Sequence, residues 1–185
     1  MKLIGKDKAD SRSDLKIPGA RRADLFSRMA LKASIGASKD FEFPTGDPDT
    51  GIIVTTQFGP HATTFKFLDG MLEHSDTKVS PTLFSHSVHN AATSYIATVL
   101  DLRGPTLTFT CFKEPLFQAF ALADIWIKLK RVSRVLLCYV EEKSIPFDTF
   151  HKHSSMPSYS KKGIKEGAVA FLLTEGEGFV IPDGP

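Results

Sequence analysis

The feature that most constrains the fold is an alternation of apolar, strand-like segments with helix-like segments between residues 51 and 174. The strand-like segments are short, apolar and often β-branched, and they are Gly51–Phe58, Thr106–Phe112, Arg134–Val140 and Gly167–Thr174. Runs of this kind suit strands that are buried on both faces of a sheet. Apolar strands that alternate with helices predict a layered α/β domain with a mostly parallel sheet and helices on both faces.

The helix-like segments are Ala20–Ala37, Ala62–Glu73, Val88–Leu100 and Pro115–Lys130. The last of them has almost no polar face, so we expect neighbouring layers or a second subunit to cover most of it. The arginines of the first helix could bind an anionic ligand, although a solvated or salt-bridged helix face explains them more simply.

Local composition predicts where the domain begins and where its long loop lies. Residues 1–18 are polar and charged and end at Pro18-Gly19, which indicates a flexible lead-in. Residues 19–185 are enough for a single domain with a core of its own. Lys143–Lys165 is rich in serine and lysine and contains two prolines, so we expect an exposed loop there.

The overall composition is that of a globular protein and excludes several classes of function. A net charge of +2 gives no electrostatic case for nucleic acid or an anionic membrane as a partner. The two cysteines form no disulfide framework, and the N-terminus lacks the apolar core of a signal peptide. No apolar run reaches the roughly 18 residues that a membrane span needs. We therefore expect a cytoplasmic protein.

Two motifs carry a resemblance to a known family. The run Ser80-Pro81-x-x-Phe84-Ser85-x-Ser87-Val88-x-Asn90 is followed by Leu102-Arg103-Gly104-Pro105. Further matches lie at Arg21-Arg22, at 27–31 and at 166–170. Over Ile17–Thr174, these residues resemble the N-terminal half of β-ketoacyl synthases. The resemblance is closest to short chain-length-factor-like subunits that are encoded with polyketide and aryl-polyene synthases. It implies a thiolase-like half-fold.

In active members of this family, a T-A-C triplet after the Gly-Pro turn supplies the nucleophilic cysteine. Counting from Gly104-Pro105 without gaps puts that position at Lys113, and Cys111 falls two residues earlier. Two residues along a strand keep the same face but move the sulfur by about 6–7 Å. The nucleophile must sit at a helix N-terminus, where N–H groups lower a thiol's pKa and bind an oxyanion. The resemblance therefore implies that the catalytic residue is absent, with Cys111 as the alternative nucleophile.

The family's condensing enzymes contain two similar halves, and this chain matches one of them. Their catalytic histidines belong to the other half, and none of the six histidines here lies in an H-G-T or N-x-H-T-G context. The resemblance implies a non-catalytic subunit that pairs with a ketosynthase and needs no cofactor. The alternatives are an atypical β-ketoacyl-ACP synthase or acyltransferase that uses Cys111 or Lys113, and a homodimeric pseudoenzyme that binds an acyl group or a carrier protein.

By the same resemblance, the loop after Ser80-Pro81 and the strand before the nucleophile position lie near the subunit interface and the partner's acyl tunnel. The residues expected to shape this tunnel or interface are Pro81, Leu83, Phe84, Phe109, Phe112 and Phe117. A plain role in the core or in an interface also explains the phenylalanines. Whether the partner is a ketosynthase or a second copy stays open, and an acyl carrier protein is a further candidate.

The histidines predict no metal site. His86 and His89 have a spacing that metal ligands sometimes use, but the sequence offers no third ligand beside them. His151 and His153 fall in a polar segment, where we expect solvated side chains.

Overall fold

A computed structural model of the protein describes residues 1–74, 78–153 and 166–178. In chain order, the helices and strands of these ranges are β1 (Lys2–Ala9), α1 (Leu25–Ser38), β2 (Thr50–Thr56), α2 (His61–His74), α3 (Pro81–His86), α4 (Ala91–Val99), β3 (Thr106–Thr110), α5 (Pro115–Lys128), β4 (Arg134–Glu141), α6 (Ile145–His153) and β5 (Gly167–Thr174). None of the helices in the described ranges is long and apolar enough to cross a membrane.

The strands of the described chain form one sheet in the order β1-β5-β4-β2-β3. β2 lies parallel to both of its neighbours, β3 and β4, whereas β5 runs antiparallel to β4 and to β1. β5 is therefore reversed relative to the other strands, and the mostly parallel sheet of the prediction is a mixed sheet. The carboxyl ends of β2, β3 and β4 lie together, and such ends are where α/β proteins gather functional groups.

Helices lie on both faces of this sheet, which confirms the predicted layering. α1 and α4 cover one face and α5 packs on the other. On β2, Ile52 and Val54 point into the core beneath α1 and α4, whereas Ile53 points into the core beneath α5. Because alternate positions of a strand face opposite ways, a strand that serves two cores must be apolar throughout. This explains the apolar runs at the centres of β2 and β4, residues 52–54 and 135–138.

The N-terminal residues contain a strand that the sequence did not predict. The segment 1–18 was predicted to be a flexible lead-in, but residues 2–9 pair with β5 as β1, from Lys2 opposite Thr174 to Ala9 opposite Ala168. β1 is an edge strand and carries charged residues, which blunt an exposed sheet edge. The same charges make the segment look like a polar loop in the sequence.

The start of α1 also differs from the prediction. The helix begins at Leu25 rather than at Ala20, because Asp24 caps it. The Asp24 Oδ1 accepts the N–H of Ser27 at 3.1 Å, which satisfies one of the backbone donors that a helix N-terminus leaves free.

Two segments predicted as loops contain helices. The segment after Ser80 forms α3, because Ser80 Oγ accepts the Leu83 N–H at 3.3 Å and Pro81 takes the first helical position. A turn then separates α3 from α4, so the predicted helix from Val88 begins instead at Ala91. The predicted loop from 143 to 165 contains α6, and its residues 154–165 lie outside the described ranges.

Candidate functional site

The carboxyl end of β3 leads into α5 through a sharp turn, Cys111–Glu114, which we call the strand–helix turn. Glu114 adopts the left-handed conformation, with φ 53° and ψ 56°, which costs a residue with a side chain about 1–2 kcal/mol. Pro115 follows at the first helical position, where no N–H is needed. The reversal leaves the side chains of Phe112 and Lys113 exposed.

Backbone carbonyls hold Cys111 at the start of this turn. Its N–H donates to the Thr56 carbonyl of β2, and its thiol donates to the Lys113 carbonyl, each at 3.0 Å. In the second of these bonds the S–H group is the donor and a main-chain carbonyl is the acceptor. The thiol is therefore placed for a structural contact in this conformation.

The second cysteine, Cys138, lies fully buried in β4. Burial raises the pKa of its thiol to about 12. Its Sγ donates to the Ala30 carbonyl at 3.8 Å, and its side chain packs in the core beneath α1. This cysteine is a core residue.

The turn after β2 contacts the strand–helix turn through two residues that the sequence prediction missed. Gln57 is 1% exposed, and its Nε2 donates to the Phe112 carbonyl at 3.0 Å. The Phe58 ring packs edge-on against the Phe112 ring, with centroids 5.5 Å apart. At the end of β4, the carboxylate of Glu141 accepts the N–H of Gln57 and, at 3.3 Å, the N–H of Phe58.

Glu141 and Glu142 form a buried pair of acidic residues at the end of β4. Burial raises the pKa of Glu141 to about 7, although its hydrogen bonds from the neighbouring turn oppose the shift. Burial also raises the pKa of Glu142 to about 7, and the negative charges of Asp24 and Glu166 add to the effect. Sequence reasoning did not single out either residue, because nothing in a glutamate pair at a strand end indicates burial.

The histidines near this region are held apart in different contacts. His86 is buried, with its Nε2 2.8 Å from the hydroxyl of Tyr95. His61 is the first residue of α2, and its ring centroid lies 6.3 Å from that of His89. Burial lowers the pKa of His61, and the nearby His89 adds to this effect. Among the described residues, no group of three or more histidines, cysteines or acidic residues could hold a metal ion. The side chains of the two α6 histidines lie outside the description.

The predicted tunnel residues of α3 lie beside α2. Phe84 is 59% exposed, and its ring packs against Phe67 with centroids 5.5 Å apart. Pro81 is exposed and Leu83 is half-buried. The structure thus places these three side chains on a surface formed by α2 and α3.

The remaining predicted residues lie around β3 and α5. Phe109 and Phe117 are half-buried, the former packed against the core beneath α5. Phe112 is 51% exposed in the strand–helix turn. These three residues therefore line the boundary between the sheet and α5, and their role in a tunnel or an interface stays a prediction.

Among the described residues β3 pairs only with β2, so it forms a free edge of the described sheet. The N–H of Cys111 and the carbonyl of Pro105 face β2. By the two-residue period of a strand, the main-chain groups of Thr106, Thr108 and Thr110 point the other way, toward a free edge.

Beside this edge, a shallow depression of about 300 Å³ separates β3 from α5. Leu107 and Ile125 line it and are 38% and 50% exposed. The free edge of β3 and this depression together are called the β3 edge surface.

Several solved structures share this fold at low sequence identity. The ishigamide ketosynthase/chain length factor matches with a TM-score of 0.72 and 22% identity, over 90% of this chain and 48% of that one. A ketosynthase in complex with its chain length factor from Xenorhabdus doucetiae matches with a TM-score of 0.60 and 23% identity, over 88% and 63% of the two chains. A type II PKS acyl-carrier protein complex with its ketosynthase matches with a TM-score of 0.77 and 18% identity, over 94% and 61%.

The chain thus spans about half to two thirds of the length of these solved chains. No curated protein matches its sequence significantly. The family model described as "Beta-ketoacyl synthase, N-terminal domain" matches residues 5–181, which confirms the resemblance found in the motifs. The protein belongs to the β-ketoacyl synthase N-terminal domain family.

Proposed function

We propose that the chain is a non-catalytic β-ketoacyl synthase-like subunit, similar in role to a chain length factor. It pairs with a ketosynthase in chain elongation of the fatty acid or polyketide type. The observation that carries the proposal lies in the strand–helix turn. Lys113 stands where the family's nucleophile is expected, and the thiol of Cys111 is bonded to the Lys113 carbonyl. A subunit of this kind acts only through a partner that supplies the nucleophile.

The side chain of Lys113 offers no replacement for that nucleophile. Lysines that attack carbonyl groups act from desolvated pockets, where the neutral amine is favoured. Lys113 is instead exposed on the turn. We therefore assign it to the surface that the partner or a carrier protein contacts.

The two free edges of the sheet support the position of the partner. β1 carries Lys2, Lys6 and Lys8 and is irregular between Leu3 and Gly5, and both features oppose pairing with another strand. β3 contains no charged residue and keeps an unbroken register with β2. The β3 edge surface is therefore the edge at which a partner strand can extend the sheet, with apolar side chains beside it.

The solved relatives support a two-subunit arrangement. One of them is a ketosynthase in complex with its chain length factor, and another is a carrier protein in complex with its ketosynthase. For this chain, the corresponding partner is a full-length ketosynthase, with an acyl carrier protein that delivers the acyl groups.

Co-expression tests the pairing. The chain is co-expressed with the ketosynthase encoded nearest its gene, and the mixture is separated by size exclusion with light scattering. We expect a stable one-to-one complex. A homodimer of this chain that elutes beside an unbound ketosynthase would contradict the proposal and favour the homodimeric pseudoenzyme.

Acyl transfer tests the missing nucleophile. The isolated chain is incubated with acyl-carrier-protein thioesters and its intact mass is measured, with Cys111→Ser as the matched control. We expect no gain in mass in either protein. A gain that disappears in Cys111→Ser would show that Cys111 accepts acyl groups and would favour the atypical synthase or acyltransferase.

A further inference from the structure

Gln57 joins the turn after β2 to the strand–helix turn. Its side-chain amide donates to the Phe112 carbonyl, while the carbonyl of the preceding Thr56 accepts the Cys111 N–H, each at 3.0 Å. The edge-on contact between the rings of Phe58 and Phe112 adds a third link. A movement of residues 56–58 must therefore be transmitted to the strand–helix turn.

Glu141 in turn holds Gln57. Its carboxylate is fully buried, and its two oxygens accept the N–H groups of Gln57 and Phe58. A deprotonated carboxylate suits two donors, since it is an acceptor at both oxygens. A protonated carboxyl would set its own O–H against one of these N–H groups. The contact therefore depends on the charge of Glu141.

We propose that Glu141 and Gln57 are positioning residues for the strand–helix turn, and that protonation of Glu141 loosens the turn. The ionised carboxylate fixes residues 57 and 58, and the Gln57 amide passes this restraint to the Phe112 carbonyl. Phe112 and Lys113 are then presented in one conformation on the exposed surface. The inference concerns the isolated chain and does not depend on the proposed ketosynthase partner.

The surroundings of Glu141 place its titration near neutral pH. Burial is the largest cause that raises its pKa to about 7, and hydrogen bonds from Gln57, Phe58, Thr56 and Tyr139 lower it. Tyr139 is the titratable group among these partners.

The other charged or titratable groups on the adjoining elements lie around the same strand end. They are Glu142 next in the chain, His61 at the start of α2, Cys111, Lys113 and Glu114 of the strand–helix turn, Lys143 and Asp148 after β4, and Glu166, whose neighbour Gly167 pairs with Glu141. Because burial is the dominant cause, we expect Glu141 to ionise between pH 6 and 8.

A second observation indicates that Gln57 positions the strand–helix turn and does more than stabilise the fold. The Gln57 Oε1 is buried and has no hydrogen-bond partner among the described residues. An unpaired buried carbonyl costs free energy, so a side chain chosen only for packing would be an apolar one of similar size. The benefit of Gln57 therefore lies in its Nε2, which holds the Phe112 carbonyl.

Cys111 provides a built-in reporter of the turn. Its thiol is bonded to the Lys113 carbonyl, so loosening of the turn frees the sulfur from this contact and should speed its reaction with iodoacetamide. Cys138 is fully buried and reports global unfolding in the same sample. Alkylation of each cysteine is followed by mass spectrometry in the full chain and in two variants, Gln57→Met and Glu141→Gln.

At pH 8 we expect Gln57→Met to alkylate Cys111 about five- to tenfold faster than wild type, the factor that corresponds to one lost hydrogen bond. Cys138 should stay unlabelled. Glu141→Gln should also react faster at pH 8, and its rate ratio to wild type should fall toward one at pH 6, where the wild-type carboxyl is itself protonated. Each variant is compared with wild type at the same pH, because the alkylation reaction itself depends on pH.

Equal rates in Gln57→Met and wild type at pH 8, or a Glu141→Gln ratio that stays constant from pH 6 to 8, would overturn the inference. If Cys138 is labelled in a variant, that variant is unfolded and the wild type alone decides. In the wild type, the backbone N–H of Cys111 should then become less protected from hydrogen exchange as the pH falls from 8 to 6. Protection is the measured exchange rate compared with the intrinsic rate at the same pH. Unchanged protection would overturn the inference equally. None of these outcomes bears on co-purification with a ketosynthase.

Discussion

Glu141 and Glu142 place two neighbouring carboxyl groups inside the protein, but their surroundings differ. Glu141 accepts two backbone N–H groups, whereas Glu142 accepts one, from Ala62, and its Oε2 is buried without a hydrogen-bond partner among the described residues. Glu142 also faces the negative charges of Asp24 and Glu166. Burying an ionised carboxylate under such conditions is costly. We therefore expect the ionised form of Glu142 to destabilise the fold.

This expectation predicts the direction in which the free energy of unfolding changes with pH. Burial raises the pKa of Glu142 from 4.5 to about 7, so between these values the folded state keeps a proton that the unfolded state has lost. The free energy of unfolding should then fall as the pH rises from about 5 to 8. Glu142→Gln removes this linkage, and the decrease across the window should shrink by about 1–3 kcal/mol. Urea unfolding at a series of pH values measures it.

Glu73 provides the matched control, since it is an exposed glutamate of α2. Glu73→Gln should keep the wild-type dependence of stability on pH. If Glu142→Gln has the same dependence as wild type, Glu142 does not carry the effect, and its carboxyl is solvated in solution.

At the scale of elements, the sequence predicted the buried strands and missed an edge strand for a physical reason. The predicted segments at 51–58, 134–140 and 167–174 correspond to β2, β4 and β5, because a strand buried on both faces must be apolar throughout. Within the described part of the chain β1 is paired on one side only, and it carries charged residues. Its pairing with β5 is a long-range contact that no local pattern reports.

The residues of the candidate site also fall into those that a local pattern identifies and those that only long-range pairing brings together. Counting along the chain from a Gly-Pro turn identified Lys113 and Cys111, because both lie on one short segment. Gln57 and Glu141 are 84 residues apart and meet only when β2 and β4 pair in register. A buried glutamate beside a second glutamate has no distinguishing spacing. Residues that act through the sheet thus become visible only once the sheet is known.

The β3 edge gives an element-scale prediction that separates folding from pairing. Proline lacks an N–H and is tolerated on an edge strand where that N–H faces outward. The main chain of Thr110 points away from β2 and its side chain is exposed, so Thr110→Pro should leave the melting temperature of the isolated chain within a few degrees of wild type. The same substitution should prevent co-elution with the ketosynthase, since it removes a donor from the free edge.

Phe109→Pro is the control for a residue whose main-chain N–H points into the sheet, because the main chain of Phe109 faces β2. It removes a hydrogen bond within the sheet and should lower the melting temperature clearly. If Thr110→Pro pairs with the ketosynthase as well as wild type does, the partner does not dock through the edge of β3.

At the scale of the whole molecule, the described part of the chain is asymmetric about its sheet. α1 and α4 cover one face, whereas α5 packs on the other and leaves Ile125 and Leu129 50% and 74% exposed. Phe112 is exposed in the strand–helix turn, at the opposite end of α5. Apolar side chains gathered around one helix and one free edge are typical of a surface that another subunit covers. The proposed partner would thus bury the apolar side chains around α5 and β3 that are exposed in this chain.

If this surface borders the acyl tunnel of a ketosynthase partner, the ring of Phe112 limits the space open to the growing chain. Phe112→Ala should then shift the products of the co-expressed pair toward longer chains, because it removes a half-exposed ring that rests against Phe58. Mass spectrometry of the released products measures the shift. Leu72→Ala is the control, since Leu72 is 85% exposed on α2 and its truncation should leave product length unchanged. An intact complex that makes products of wild-type length with Phe112→Ala would exclude Phe112 from the tunnel wall and restrict it to subunit contact.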